Sequence, residues 1–447
     1  MTPIHWRCVV WVGVFLYCWY FALFAGCASA PPAGPPSPPI TPPIDDTVPP
    51  IVLDPIRRPL PRLLTIGRRL VTDDSRPVVW RFSTGFRLLD YVADGNEPAA
   101  IAFLDWLQAR GFNGARVLTT LCQSWFDLCP EDGQRALPRL LELAEERGLY
   151  LEVVALTGTK DQDKAAMASQ VRAIGLICAS HPACAGTEIA NESSHPTQSE
   201  ALQDESFVRT LVALIPNGVP VSSGSSCCGE PDEPPYPAHL TLGSYLTPHT
   251  DRSRDTWDRT RHLRELEALS ADVGKYVVDD EPIGAGPVEQ GGRRSSNPHE
   301  FFARGVLSRI FGVGATWHCE ACLHSTIPSQ IETEAADAFI AGTRIVPDDV
   351  TFTFKNASWA DSPVKGFDFG DFGEPNTAVR AYSGVNGDTG VLALVGVTGN
   401  PAVEFQHGWR AGEVLADRPG IRVMAITRRL SDGKDDLYAT TLRRLGL

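Results

Sequence analysis

Positive charge is in deficit: 40 Lys and Arg stand against 54 Asp and Glu, a formal net charge of −14 over 447 residues. No basic face is available to neutralise phosphates or sulfates, so nucleic acid and polyanionic glycans are excluded as the main partner. A neutral substrate fits. The first strand candidate, Trp80-Arg81-Phe82-Ser83, lacks the His-x-His with which metal-dependent barrel hydrolases usually begin. No metal and no cofactor is therefore expected. Residues 348–447 show no aromatic row of the kind that binds sugar in a carbohydrate-binding module, and no convincing helix.

Charge is also missing from Cys8 to Ala25, an apolar run that follows Arg7 and precedes Gly26-Cys27-Ala28-Ser29-Ala30. That is an export signal rather than part of a fold. Leu23-Phe24-Ala25-Gly26-Cys27 resembles a bacterial lipoprotein signal with Cys27 as the lipidated residue. Cleavage after Ala28-Ser29-Ala30, or an uncleaved anchor, are the other readings. Each sends the chain out of the cytoplasm, and the preferred one tethers it to the bacterial cell envelope, its membrane contact limited to the anchor. From Pro31 to Arg62 there are 13 prolines, which exclude helix and favour a stiff stalk. The eight cysteines beyond Cys27 fall in four close couples: Cys122/Cys129, Cys178/Cys184, Cys227/Cys228 and Cys319/Cys322. An even count in an oxidising compartment points to disulfides. The pairing of the last four stays open, and the lone Cys319-x-x-Cys322 between His318 and His324 is half a zinc site.

The body alternates short apolar runs with amphipathic stretches. Strand candidates are Val78–Ser83, Gly114–Thr119, Tyr150–Leu156, Gly186–Ala190, Val219–Ser223, Leu240–Ser244, Tyr276–Asp279 and Gly314–Trp317. Helical patterns lie between them, and Arg110-Gly111 and Arg147-Gly148 have the form of helix ends. Eight βα repeats predict an α/β fold, a (β/α)8 TIM barrel. After Pro347 the runs are short, strand-like and turn-bounded, a small C-terminal antiparallel β module. The expected organisation is 1–30 export signal, 31–62 Pro-rich linker, 63–347 catalytic barrel and 348–447 a β-sandwich-like accessory module. Leu64–Thr72 either pairs with that module or closes the barrel bottom.

In such a barrel the chemistry sits where strands end at the C-terminal face. The fourth strand ends in Glu188-Ile189-Ala190-Asn191-Glu192 and the seventh in Asp279-Asp280-Glu281-Pro282. Two carboxylates facing each other are what glycoside hydrolysis needs, one to protonate the departing oxygen and one to attack from the opposite face. Glu192 and Glu281 are 89 positions apart, about three βα units of some 30 residues. Glu188 lies a strand-length before the rim and belongs inside the barrel. Asp280 is the nearest competitor for the nucleophile's place.

The pattern resembles glycoside hydrolase clan A, the cellulase-like family 5 relatives, from about Leu64 to the C-terminus. The resemblance implies Glu192, in Asn191-Glu192, as acid/base and Glu281 as nucleophile of a retaining enzyme. It implies Arg116 of the second strand as the residue that orients Glu281, and His249 or Tyr245 as the sixth-strand contact. It also implies Trp317, at the eighth strand, as a sugar platform. Ser193 stands where clan members often carry Pro. Asn191 is placed to bind the sugar 2-OH, and His195 lies on a loop at the same face. A carbohydrate substrate follows. The rival readings are a non-catalytic glycan-binding surface lipoprotein on the same barrel and a metal-dependent barrel hydrolase.

Overall fold

The computed structural model describes residues 60–123, 126–225, 236–250, 252, 260, 262–287, 294–319, 322, 327–355, 362–365, 380–397 and 403–428, with backbone alone at 121–123, 126–127 and 365. The export segment with Cys27, nearly all of the Pro-rich stretch, and Cys227 and Cys228 lie outside these residues. Among the described residues no helix is long and apolar enough to cross a membrane.

A hairpin comes first: β1 (Leu63–Ile66) and β2 (Arg69–Thr72), antiparallel. Then β3 (Phe82–Thr84), β4 (Gly114–Leu118), β5 (Tyr150–Leu156), β6 (Cys184–Ala190) and β7 (Val221–Ser222) form a five-stranded parallel sheet in sequence order. A second parallel sheet holds β8 (Tyr245–Leu246), β9 (Tyr276–Asp279) and β10 (Gly314–Ala315). Just past β10, Trp317 pairs in parallel with Ser83, donating its N–H to Phe82 at 2.8 Å. On the other side, Ser222 and Thr247 share a hydroxyl hydrogen bond of 2.8 Å, and Ser222 bridges Gly243.

The helices α1 (Leu88–Ala93), α2 (Glu97–Arg110), α3 (Pro130–Glu145), α4 (Lys164–Ser180), α5 (Glu205–Val212), α6 (His262–Val273), α7 (Pro298–Phe311) and α8 (Gln330–Thr343) fill the intervals. Their ends carry recognisable signals. Gly111 (φ 86°) and Gly312 (φ 68°) close α2 and α7 in the left-handed conformation that glycine adopts at no steric cost. Ser329 and Glu332 make a capping box at the start of α8. Helices α7 and α8 approach so closely that a Cβ at Gly305 would overlap the Phe339 carbonyl, and one at Gly342 the Phe302 carbonyl.

Strand periodicity of two sorts the side chains. Ala115, Val117, Leu151, Val153 and Ile189 turn outward and share one core with the helices, where each fully buried Leu or Ile stabilises by about 1.5–3 kcal/mol. Arg116, Glu152 and Glu188 turn inward and are fully buried. Lower down, Leu63 and Leu70 of the hairpin cluster with Trp80, Phe82, Tyr150, Tyr245 and Tyr276. The hairpin thus plugs the bottom of the strands.

The C-terminal segment contributes β11 (Thr353–Lys355), β12 (Val364–Lys365), β13 (Arg380–Asn386), β14 (Thr389–Val397), β15 (Glu404–Phe405), β16 (Trp409–Arg418) and β17 (Gly420–Arg428). Five of them form an antiparallel sheet in the order β11-β13-β14-β17-β16, and β12 pairs with β15. One face rests on α7 through Phe311 against Phe354 and Tyr382, with ring centroids 4.7 and 5.3 Å apart. Val391, Ala393, Ile421 and Val423 extend the same core that the helices share.

Two expectations need correcting. Leu240–Ser244 is not the sixth strand: residues Ala238–Thr241 form a short 3-10 turn, and the strand begins at Tyr245. Helix α8 and strand β16 had not been anticipated. Cys319 and Cys322 form a disulfide, but Cys129, Cys178 and Cys184 are free thiols. The Cys184 thiol donates to the Gly186 carbonyl of its own strand at 3.5 Å, and both Cys178 and Cys184 are buried, behaving as small apolar residues.

Candidate active site

Arg116, on the second strand β4, is the centre. Its Nε donates to Glu188 Oε2 (2.9 Å), its Nη1 to Glu281 Oε2 (3.0 Å) and its Nη2 to Asn191 Oδ1 (2.7 Å). Asp280 Oδ2 is also 2.8 Å from Nε. That N–H is aimed at Glu188, so the Asp280 contact is coulombic. Burial alone would drive the guanidinium toward neutrality, but Asp280, Glu188 and Glu281 overcome this and hold it firmly cationic.

Glu281 follows β9 and is held from both sides. Arg116 takes Oε2, while Arg252 Nη2 reaches Oε1 at 2.6 Å. Burial pushes its carboxyl up; His249, Arg252, His318 and Arg116 outweigh that and bring it well below the usual carboxylate range. Glu281 is therefore ionised at neutral pH. Its neighbours Glu188 and Glu152 move the other way. Burial dominates both, lifting Glu188 well above its ordinary value and Glu152 to about 8.

Glu192 ends the fourth strand in a tight turn with φ 44°, a left-handed conformation uncommon for a residue with a side chain. Hydrogen bonds on both sides hold it there: Asn191 N to Leu156 O (3.0 Å), Ser193 N to Ser225 O (2.8 Å) and His195 N to Glu192 O (2.8 Å). Such over-determined strain clusters at active sites. His249 bridges the two glutamates, with Nδ1 3.4 Å from Glu192 Oε1 and Nε2 3.7 Å from Glu281 Oε2 and 3.3 Å from Asp280 Oδ1. Burial lowers its pKa, but Glu281 and Asp280 raise it further, so it carries a proton at neutral pH. Oxygens of Glu192 and Glu281 and the His249 ring nitrogen all lie within 4.8 Å of one another.

Glu188, His249 and Asp280 also bring donor atoms within 4.8 Å, a spacing a cation could bridge. The Arg116 guanidinium, 2.8 Å from both carboxylates, already supplies the positive charge there. A divalent ion would sit against it, so these residues read as an ion-pair network.

No protein-family model matches the sequence, and no curated protein is significantly similar to it. Solved structures are. A glycoside hydrolase superposes with a TM-score of 0.55 at 13% identity, covering 83% of this chain and 98% of its own. A family 5 glycoside hydrolase from Bacteroides vulgatus gives 0.54 at 13% identity, over 83% and 94%. A beta-glucanase from Saccharophagus degradans in complex with cellotetraose gives 0.50 at 14%, over 64% and 94%. The fold is that of the family 5 glycoside hydrolases.

Within that fold the anticipated residues separate into two groups. Arg116, Asn191, Glu192, His249 and Glu281 meet at one place. Tyr245, Trp317 and His195 do not join them. Because β8 starts at Tyr245, that side chain sits deep among the strands and donates its hydroxyl to Glu152 Oε1 at 2.8 Å. The rim position belongs to His249. Trp317 is turned outward, 1% exposed, between Trp106 of α2 and Phe112 at 5.7 and 5.8 Å. Alternation then turns His318 inward, edge-on to Phe86 at 5.8 Å and close enough to act on Glu281. His195 is engaged with Thr197 of its own loop at 2.7 Å. Arg252 and Thr250 were missed because their loop has no periodic pattern. The signal available was their spacing from His249.

Trp317 tests this placement. Trp317→Ala should cost about 3–5 kcal/mol, as expected for a large buried aromatic, seen as a lower midpoint in urea unfolding. A variant of unchanged stability with weakened sugar binding would show instead that Trp317 faces the substrate.

Proposed function

We propose that this chain is a retaining glycoside hydrolase that cleaves O-glycosidic bonds of a neutral poly- or oligosaccharide by double displacement. The observation that carries the reading is the short approach of Glu192 and Glu281, with oxygens within 4.8 Å. Retaining enzymes hold their carboxyl groups about 5–5.5 Å apart, whereas inverting enzymes need about 6.5–9.5 Å to admit a water. The eight parallel strands are taken as a closed barrel that carries both groups at its C-terminal rim.

In the first step Glu192 gives its proton to the glycosidic oxygen while Glu281, ionised and oriented by Arg116, attacks the anomeric carbon from the opposite face. The leaving group departs as a neutral alcohol and a glycosyl ester forms on Glu281. In the second step Glu192, now a carboxylate, takes a proton from water, which attacks the anomeric carbon and releases Glu281. Two inversions give net retention. Asn191, fixed by Arg116 at 2.7 Å, is placed for the sugar 2-OH. The C-terminal sheet is read as a packed structural appendage. Residues 1–30 are read as a lipoprotein signal, and mass spectrometry of the mature N-terminus should find lipid on Cys27; an unmodified terminus near Pro31 would contradict that.

Soluble protein lacking the export segment should be assayed against a panel of aryl glycosides and oligosaccharides, cellotetraose among them. Glu281→Gln should abolish turnover whatever the leaving group. Glu192→Ala should slow substrates with poor leaving groups by about 10²–10⁴-fold and spare good ones. Azide should accelerate the second step of that variant and give a glycosyl azide of retained configuration. An inverted first-formed anomer by proton NMR, or equal losses in both variants, would overturn the assignment.

A further inference from the structure

Strand β9 runs out into three consecutive carboxylates, Asp279-Asp280-Glu281, and any of them could in principle face the substrate. Each meets a partner from one short stretch of the loop after β8. The Thr250 hydroxyl donates to Asp279 Oδ1 at 3.0 Å. His249 Nε2 lies 3.3 Å from Asp280 Oδ1. Arg252 Nη2 reaches Glu281 Oε1 at 2.6 Å and donates to the Glu281 carbonyl at 3.0 Å. Asp279 is turned outward to Arg304 of α7, and Asp280 inward to Arg116, both completely buried. Glu281 keeps 12% of its side chain exposed.

We propose that Arg252 is the positioning residue of the nucleophile, fixing Glu281 by side chain and main chain at once and deciding which of the three acids faces the sugar. The inference rests on the reading of Glu281 as nucleophile and extends it to a residue outside the set that the sequence singled out. Arg116 and Arg252 divide the work. Arg116 holds Oε2 from inside the barrel and cannot be removed without stranding Glu188 and Asp280. Arg252 holds Oε1 from the rim, where its side chain is 18% exposed. It is the cation that can be taken away without emptying the interior.

The charged and titratable groups that face Glu281 are Arg116 from β4, His249 and Arg252 from the loop after β8, Asp280 from its own strand and His318 after β10. Glu192 lies across the cleft. Removing one cation disfavours the ionised carboxyl, so the Glu281 pKa must rise. An adjacent opposite charge is worth about 1–3 pH units, and with Arg116 and His249 still in place about one unit is expected.

The test compares Arg252→Gln and Arg252→Lys with wild type on the aryl glycoside that wild type cleaves fastest. In Arg252→Gln the acid limb of the kcat/KM profile should move up by about one pH unit. Its kcat should fall about 10–100-fold, as for a misplaced reacting group, with KM little changed. Arg252→Lys should restore the limb. A second readout needs no turnover: carbodiimide labels a carboxyl through its protonated form, so labelling of the Glu281 peptide, followed by mass spectrometry, should begin about one unit higher in Arg252→Gln. An unshifted limb together with unshifted labelling would overturn the positioning role, and so would a rise in KM alone. If labelling shifts but Glu281→Gln keeps full activity, the reading of Glu281 as nucleophile fails and the control of Glu281 by Arg252 stands.

Discussion

One buried guanidinium organises this molecule. Arg116 is fully buried and lies within 3.0 Å of Glu188, Asp280, Glu281 and the Asn191 amide. Breaking a buried ion pair by removing one partner costs about 3–5 kcal/mol, because the other charge is left without compensation. Here several carboxylates would be stranded together. The second, fourth and seventh strands are therefore tied at the height where their side chains turn inward, and Asn191 and Glu281 take their places at the rim as a consequence.

The same interaction sets up the division of charge. Glu152, Glu188, Asp280 and Glu281 all act on the buried Arg116 guanidinium. Burial forces Glu188 and Glu152 upward; it acts on Glu281 too, but there His249 and then Arg252 outweigh it from the rim. Inside, the carboxylates share the Arg116 guanidinium; at the mouth, Glu281 has Arg116 and Arg252 on its two oxygens and is held ionised. A nucleophile needs that condition, and the depth of a residue on its strand decides which carboxylate meets it. Glu188 and Glu281 are alike chemically and differ in where the strand places them.

How much of this was legible in the sequence depended on strand length. Tyr150–Leu156, of seven residues, and Tyr276–Asp279, of four, could be read to the residue, since each is a near-continuous apolar run that starts two residues after a turn glycine, Gly148 or Gly274. The position of Glu281 followed from the second of these, and that of Glu192 from Gly186–Ala190, whose end agrees with the strand Cys184–Ala190. Short strands failed. The sixth has two residues in the structure, Tyr245–Leu246, and a start misplaced by five positions moved Tyr245 from the barrel floor to the rim. At the eighth strand the miss was a single step: Trp317 and His318 point to opposite sides, and pattern alone gave no means to choose. The left-handed turn at Glu192 and the reach of Arg252 across to Glu281 left no local trace, because both are imposed by contacts distant in sequence. The free thiols of Cys178 and Cys184 were misjudged because proximity along the chain says nothing of which way a thiol points.

The central claim is that Glu281, and not its neighbour Asp280, is the nucleophile. The most direct measurement uses a slow substrate that accumulates as the covalent intermediate, 2,4-dinitrophenyl 2-deoxy-2-fluoro-β-cellobioside, or the corresponding fluoro sugar that the protein prefers. After inactivation the protein is digested and the labelled peptide sequenced by mass spectrometry. The account predicts one fluoroglycosyl group per chain, on Glu281, and none in Glu281→Gln. A label on Asp280, or none under conditions where the parent glycoside is hydrolysed, would contradict it.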